Sequence, residues 1–137
     1  MFRKRAASLL AVMFLIAFSI PLLAVDLTVV DSTGKQTLLK DALLTYVLLN
    51  PEQFQMSNPD GLAIHKGKGQ TTIEWKNIAK IVIKKDKTQL QMLITVKGSP
   101  EVVVPIKETG TLQGHVTSGT FKIALSEVKS MVPTPGS

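Results

Sequence analysis

No cysteine occurs among the 137 residues. Disulfides, thiolate metal ligands and a thiol nucleophile are therefore excluded. Arginine is confined to Arg3 and Arg5. Past them every cation is a lysine, a hydrated point charge without the fixed fork that grips phosphates and reads guanine. Beyond residue 24 the aromatics are Tyr46, Phe54, Trp75 and Phe121, too few for a base-stacking platform. Specific nucleic-acid recognition is not expected of such a chain. No G-x-S-x-G elbow is present. The stretch GKGQTT (67–72) lacks phosphate-loop spacing and leads toward a strand, so it reads as a hairpin turn. Asp26, Asp31, Asp41, Asp60 and Asp86 fall at turns or strand ends, where turn formation accounts for them. With no carboxylate pair poised for acid–base work, the chain is not expected to be an enzyme.

What is there begins with MFRKR and an apolar run over 6–24, interrupted by Ser8, Ser19 and Pro21. A basic start, an apolar middle and a small residue at the end form the pattern of a cleaved secretory signal. Cleavage is expected near Ala24, with Ser19 as a second candidate, and the product in the periplasm or outside the cell. The competing reading is an uncleaved anchor, since the run approaches the roughly 20 residues that span a bilayer; a membrane role is expected only through that segment. With no Cys after the run, a lipid anchor is excluded. The 113 residues that follow carry 13 Lys against 10 acids, a net charge of +3. Lysines in that number keep a β-protein soluble and blunt its edges. The densest charge run, Lys84, Lys85 and Lys87, reads as a solvated turn.

Period-two alternation broken by turn signals recurs along the rest. It predicts strands at 27–30, 62–65, 71–75, 78–84, 89–96, 102–106, 112–116, 120–125 and 129–132. Residues 36–49, QTLLKDALLTYVLL, are ambiguous: the Leu spacing suits a helix, whereas Thr, Tyr and Val suit a strand bent near Lys40-Asp41. The stretch 50–61 reads as a loop, with two Asn-Pro pairs and a Pro-Asp-Gly turn. Pro105 inside 102–106 predicts an edge strand or a bulge, and 134–137 a frayed tail.

One pattern is written twice. A shift of fifty residues without a gap aligns Leu62, His65, Gly69, Ile73 and Val82 with Leu112, His115, Gly119, Ile123 and Val132. The spacing of Ile73, Trp75, Ile78 and Ile81 matches that of Ile123, Leu125, Val128 and Met131. Ile73 and Trp75, two apart, share a strand face. Trp75, Ile78 and Ile81 run in threes, the period of a 3₁₀ turn. Each copy therefore predicts a strand, one tight turn and a further strand, with these eight residues in the core.

On those residues, 62–84 and 112–132, the chain resembles exported bacterial all-β domains of unknown function in which such a segment closes an SH3-like or Sm-like barrel. The resemblance implies two tandem SH3-like barrels packed as one unit, over 25–86 and 87–133. A single β-sandwich is the alternative. It also implies binding of peptides, glycans, RNA or neighbouring subunits, among which fold does not choose.

His65 and His115 occupy equivalent positions in the repeat and are the only histidines. Imidazole binds zinc and copper, but two histidines without a third ligand leave no metal or cofactor expected. The expected function is a non-enzymatic exported module that binds a protein partner or an envelope polymer through strand edges or loops. The alternative is a small-ligand or metal-binding protein using the 50–61 loop and both histidines.

Overall fold

In a computed structural model the described residues are 25–57 and 59–134. The expected leader over 1–24 lies outside them, as do residues 135–137. The fold is all-β. The strands are β1 (Val25–Asp31), β2 (Gln36–Leu48), β3 (Gln53–Met56), β4 (Gly61–Lys66), β5 (Gly69–Glu74), β6 (Ile78–Asp86), β7 (Gln89–Val96), β8 (Val102–Ile106), β9 (Thr111–Val116), β10 (Gly119–Ala124) and β11 (Val128–Pro133). Both predicted 3₁₀ turns form, at Trp75–Asn77 and Leu125–Glu127.

Six strands close a barrel in the order β1-β11-β6-β7-β8-β2, with β2 returning to β1. The barrel takes β1, β2 and β6 from the first half of the chain and β7, β8 and β11 from the second. The cylinder is thus shared between the halves. Its register holds a row Thr37–Val29–Met131–Ile81–Ile94–Val102 across the six strands. Ile81 and Met131 are repeat equivalents, so the row reads alike from both ends. A pseudo-two-fold axis passes between them.

Of residues 36–49, all but the last form β2, with no helix. Leu39, Ala42, Leu44, Tyr46 and Leu48 are buried. The single step of three, from 39 to 42, falls at Asp41, whose φ is +53°. There the register against β9 also shifts, between Lys40 and Leu43. A bulge adds one residue to a strand and bends it. The helix-like leucine spacing is this bulge read in one dimension.

The expectation of a loop across 50–61 is corrected by β3, which pairs with the end of β2 from Thr45↔Met56 to Leu48↔Gln53. The bent β2 runs on past the barrel and offers a ladder, so four polar and apolar residues between turn signals become a strand. Pro105 pairs with Gln91 of β7. On its other side β8 meets β2 at the one register pair Leu48↔Ile106, close to the edge position expected for proline.

One apolar cluster joins both halves. Trp75, Ile78, Ile81, Leu125, Val128 and Met131 are buried in it, and Ile73 and Ile123 pack against it half-buried. The corners are near-copies. The residue before each 3₁₀ turn has φ/ψ of −68°/141° at Glu74 and −69°/141° at Ala124. The amide of Trp75 donates to Asp60 O, and that of Leu125 to Gly110 O, each at 2.9 Å. These bonds tie each turn to the residue preceding its hairpin. At the far end of the chain Thr134 N–H donates to Asp26 O at 2.8 Å, so the predicted tail is anchored at its first residue.

Candidate functional site: two related grooves

The repeat places two hairpins, β4–β5 and β9–β10, beside the barrel. The first is a two-stranded sheet of its own; the second continues the main sheet from β2. Each ends in an edge strand, β5 or β10, with the same alternation of half-buried and exposed residues. Hydrogen-bonded pairs alternate along an antiparallel ladder. The Trp75-to-Asp60 bond therefore sets the parity of β4–β5: Leu62/Ile73, Ile64/Thr71 and Lys66/Gly69 are the bonded pairs. It follows that the backbone groups of Gln70, Thr72 and Glu74 point away from β4, toward the open side. By the matching bond at Leu125, the outward groups of β10 are those of Thr120, Lys122 and Ala124.

Beside β5 lies a groove of about 790 Å³. Thr71, Thr72, Ile73 and Glu74 all line it, and its far wall comes from Val96 and residues 99–102. Ile64, His65 and Lys66 of β4 line it too, so the groove lies against the β4–β5 hairpin and takes in Thr72 and Glu74, whose backbone groups point outward. A smaller groove of about 450 Å³ lies at the second hairpin, lined by Thr37, Leu38, Lys40, His115, Val116 and Phe121. The two correspond under the pseudo-two-fold: His65 with His115, Thr71 with Phe121, and Val102 with Thr37. Their charges differ. The first holds Lys66, Glu74 and Glu101; the second holds Lys35 and Lys40 and no acid.

The two histidines line different grooves. His115 is exposed on β9, opposite Lys40 of β2 and Thr120 of β10. His65 is half-buried, and its Nε2–H donates to the Pro51 carbonyl at 3.0 Å. A carbonyl only accepts, so Nε2 carries a proton. The 50–61 stretch thus does meet His65, across a third groove of about 640 Å³ lined by Pro51, Glu52, Gln53 and Lys68. Among the described residues no group of three or more His, Asp or Glu is placed to hold a metal ion.

Among the described residues two titrating groups are displaced, both for structural reasons. Thr33 Oγ1 donates to the Asp31 carboxylate, and the amides of Thr33 and Lys35 add bonds of 2.9 and 3.0 Å; together they hold its pKa below the ordinary value. This is the β1–β2 turn read from DSTGK. Burial pushes the Tyr46 phenol up to about 12; its hydroxyl donates to Ala63 O at 2.8 Å and fastens β4 to the barrel. Neither group lines a groove described above.

Sequence reasoning found both histidines and both hairpins but not the 99–102 wall, because nothing local marks a turn that lies opposite a distant strand edge. Comparison with known protein families, with curated proteins and with solved structures finds no match to this chain.

Proposed function

We propose that this chain is an exported, non-catalytic binding module whose ligand is an extended segment of another protein, added as a strand along the open edge of β5. Export rests on the basic, apolar and small-residue order of the first 24 residues. The observation that carries the binding reading is the groove beside β5, whose lining includes Thr72 and Glu74 with their backbone groups turned outward. Strand addition takes its affinity from such backbone groups and its selectivity from side-chain pockets beside them. Ile64, Ile73, Val96 and Val102 supply apolar surface there. Glu74 and Glu101 oppose a polyanion, which favours a protein segment over an acidic envelope polymer. On the same reading each half of the chain is an SH3-like unit, opened and interlocked with the other about the Ile81–Met131 axis, so that the barrel is common property and the hairpins remain free to bind.

A photo-crosslinking residue at position 72, compared with one at exposed Lys129, tests the reading in the intact envelope. Position 72 is expected to capture one linear segment of one protein, and position 129 none of it. Thr72→Pro removes an outward N–H and is expected to weaken capture at least tenfold. Equal capture at both positions, or a polysaccharide adduct, overturns the reading.

A further inference from the structure

The row of paired residues that defines the pseudo-two-fold also locates where the repeat is broken. Thr37 and Val102 are equivalent, as are Leu62 and Leu112. Twenty-five residues separate the first of each pair in copy one, and ten in copy two, an excess of 15. That excess is the far end of β2, its turn and β3.

β3 reads QFQM and, among the described residues, pairs with β2 alone. Its side chains carry no charge, whereas β5 holds Glu74 and β10 holds Lys122. Charge on an edge strand is the usual guard against pairing with another chain. Phe54 is 62% exposed and Met56 48%. Being two apart, they share the outer face with Thr45 and Val47, their β2 partners. Ser57 N–H donates to Leu44 O at 2.7 Å. The ladder parity set by that bond makes Tyr46/Gln55 and Leu48/Gln53 the bonded pairs. The backbone groups of Phe54 and Met56 therefore point outward.

We propose that the protein forms a two-fold homodimer by antiparallel addition of β3 to β3 of a second copy, with Gln55 on the dyad. In this register Phe54 lies opposite Met56 of the second copy, and Met56 opposite its Phe54. Both pairs use the outward backbone groups, so four hydrogen bonds form. Both also bring an aromatic ring against a thioether on one face, a favourable contact. Gln55 meets its own copy, and no like charges are opposed. The sequence QFQM is self-complementary about its third residue in the parity the ladder dictates, and this selects a second copy over an unrelated strand. The β5 groove is not involved, so the dimer and the proposed function stand or fall separately.

The chain's lack of cysteine provides a direct test. Gln55→Cys places the new thiol opposite itself in a non-bonded pair, about 4.5 Å apart at Cα, within disulfide reach. Gln53→Cys faces Ser57 of the second copy and has no thiol partner. Under mild oxidation Gln55→Cys is expected to give a covalent dimer and Gln53→Cys at least tenfold less. In sedimentation the unmodified protein is expected at twice the mass of one chain at high concentration. Phe54→Glu, at an exposed position, is expected to keep its melting temperature and sediment as a monomer. A monomer at every concentration, equal crosslinking at 53 and 55, or a dimer that survives Phe54→Glu overturns the proposal.

Discussion

Ile81 of β6 lies directly opposite Met131 of β11, fifty residues away and at the same place in the repeat. Both are fully buried. A residue paired with its own repeat equivalent marks a local dyad, and around this one the barrel is organised. Each copy ends in a strand that could not bury its inner face alone. Packed side by side at the dyad, with β1 and β7 flanking, the two end strands form the middle of the barrel wall.

Truncation at the dyad should therefore cost as much as in any well-packed core. Ile81→Ala and Met131→Ala are each expected to destabilise by about 2–5 kcal/mol. Their effects should fall short of additivity by about 0.5 kcal/mol or more, because the residues touch. Urea denaturation followed at Trp75 and by far-ultraviolet circular dichroism should show coincident transitions, because one core serves both halves. Separate transitions would show that the halves unfold independently.

Gly110 sits beneath the second corner. A Cβ there would lie 2.6 Å from Leu125 Cδ1 and 2.7 Å from Thr45 O. Gly110→Ala must push the leucine or the β2 backbone aside, at an expected cost of about 1–3 kcal/mol. A shift of the denaturation midpoint with unchanged slope would report it. No shift would mean that the corner is looser than the distances show.

The bend of β2 rests on Asp41, exposed with φ +53°. Glycine adopts that region freely and β-branched residues do not. Asp41→Gly is expected to be close to neutral, and Asp41→Val to cost about 1–2 kcal/mol. Thermal melts of the two variants side by side measure the difference.

Tyr46 predicts an alkaline limit. Its folded pKa of about 12 stands above the ordinary 10.0. A group whose folded pKa is raised contributes stability fully present below its unfolded pKa and lost as pH rises through the folded one. Melting temperature should accordingly fall between about pH 10 and 12. Tyr46→Phe should lose about 1 kcal/mol at neutral pH, with the Ala63 carbonyl left without its donor, and should lack the tyrosine part of the alkaline fall. An unchanged pH profile in that variant would place the alkaline sensitivity elsewhere.

The sequence by itself determined nine of the eleven described strands and both corners. Gln89–Val96 and Val102–Ile106 begin and end where alternation and punctuation place them. The step from a spacing of two to a spacing of three marked Trp75–Asn77 and Leu125–Glu127. These are local properties: side-chain period follows backbone geometry within a few residues. The two histidines and their equivalence were legible for the same reason.

Tertiary structure alone decided which strands lie side by side. Alternation tells each strand which face to bury but not against what, so two closed units and one shared barrel have the same one-dimensional pattern. Residues 36–49 stayed ambiguous because a bulge at Asp41 imitates a helical step, and only the pairing of β2 with β1 on one side and β9 on the other shows it as a bend. β3 was hidden because its ladder partner is the overhang of that bent strand. The two hairpin grooves were hidden because each joins a hairpin to a wall some twenty or more residues away in the chain. Spacing along a chain records what a residue prefers; what it meets depends on how the whole backbone closes.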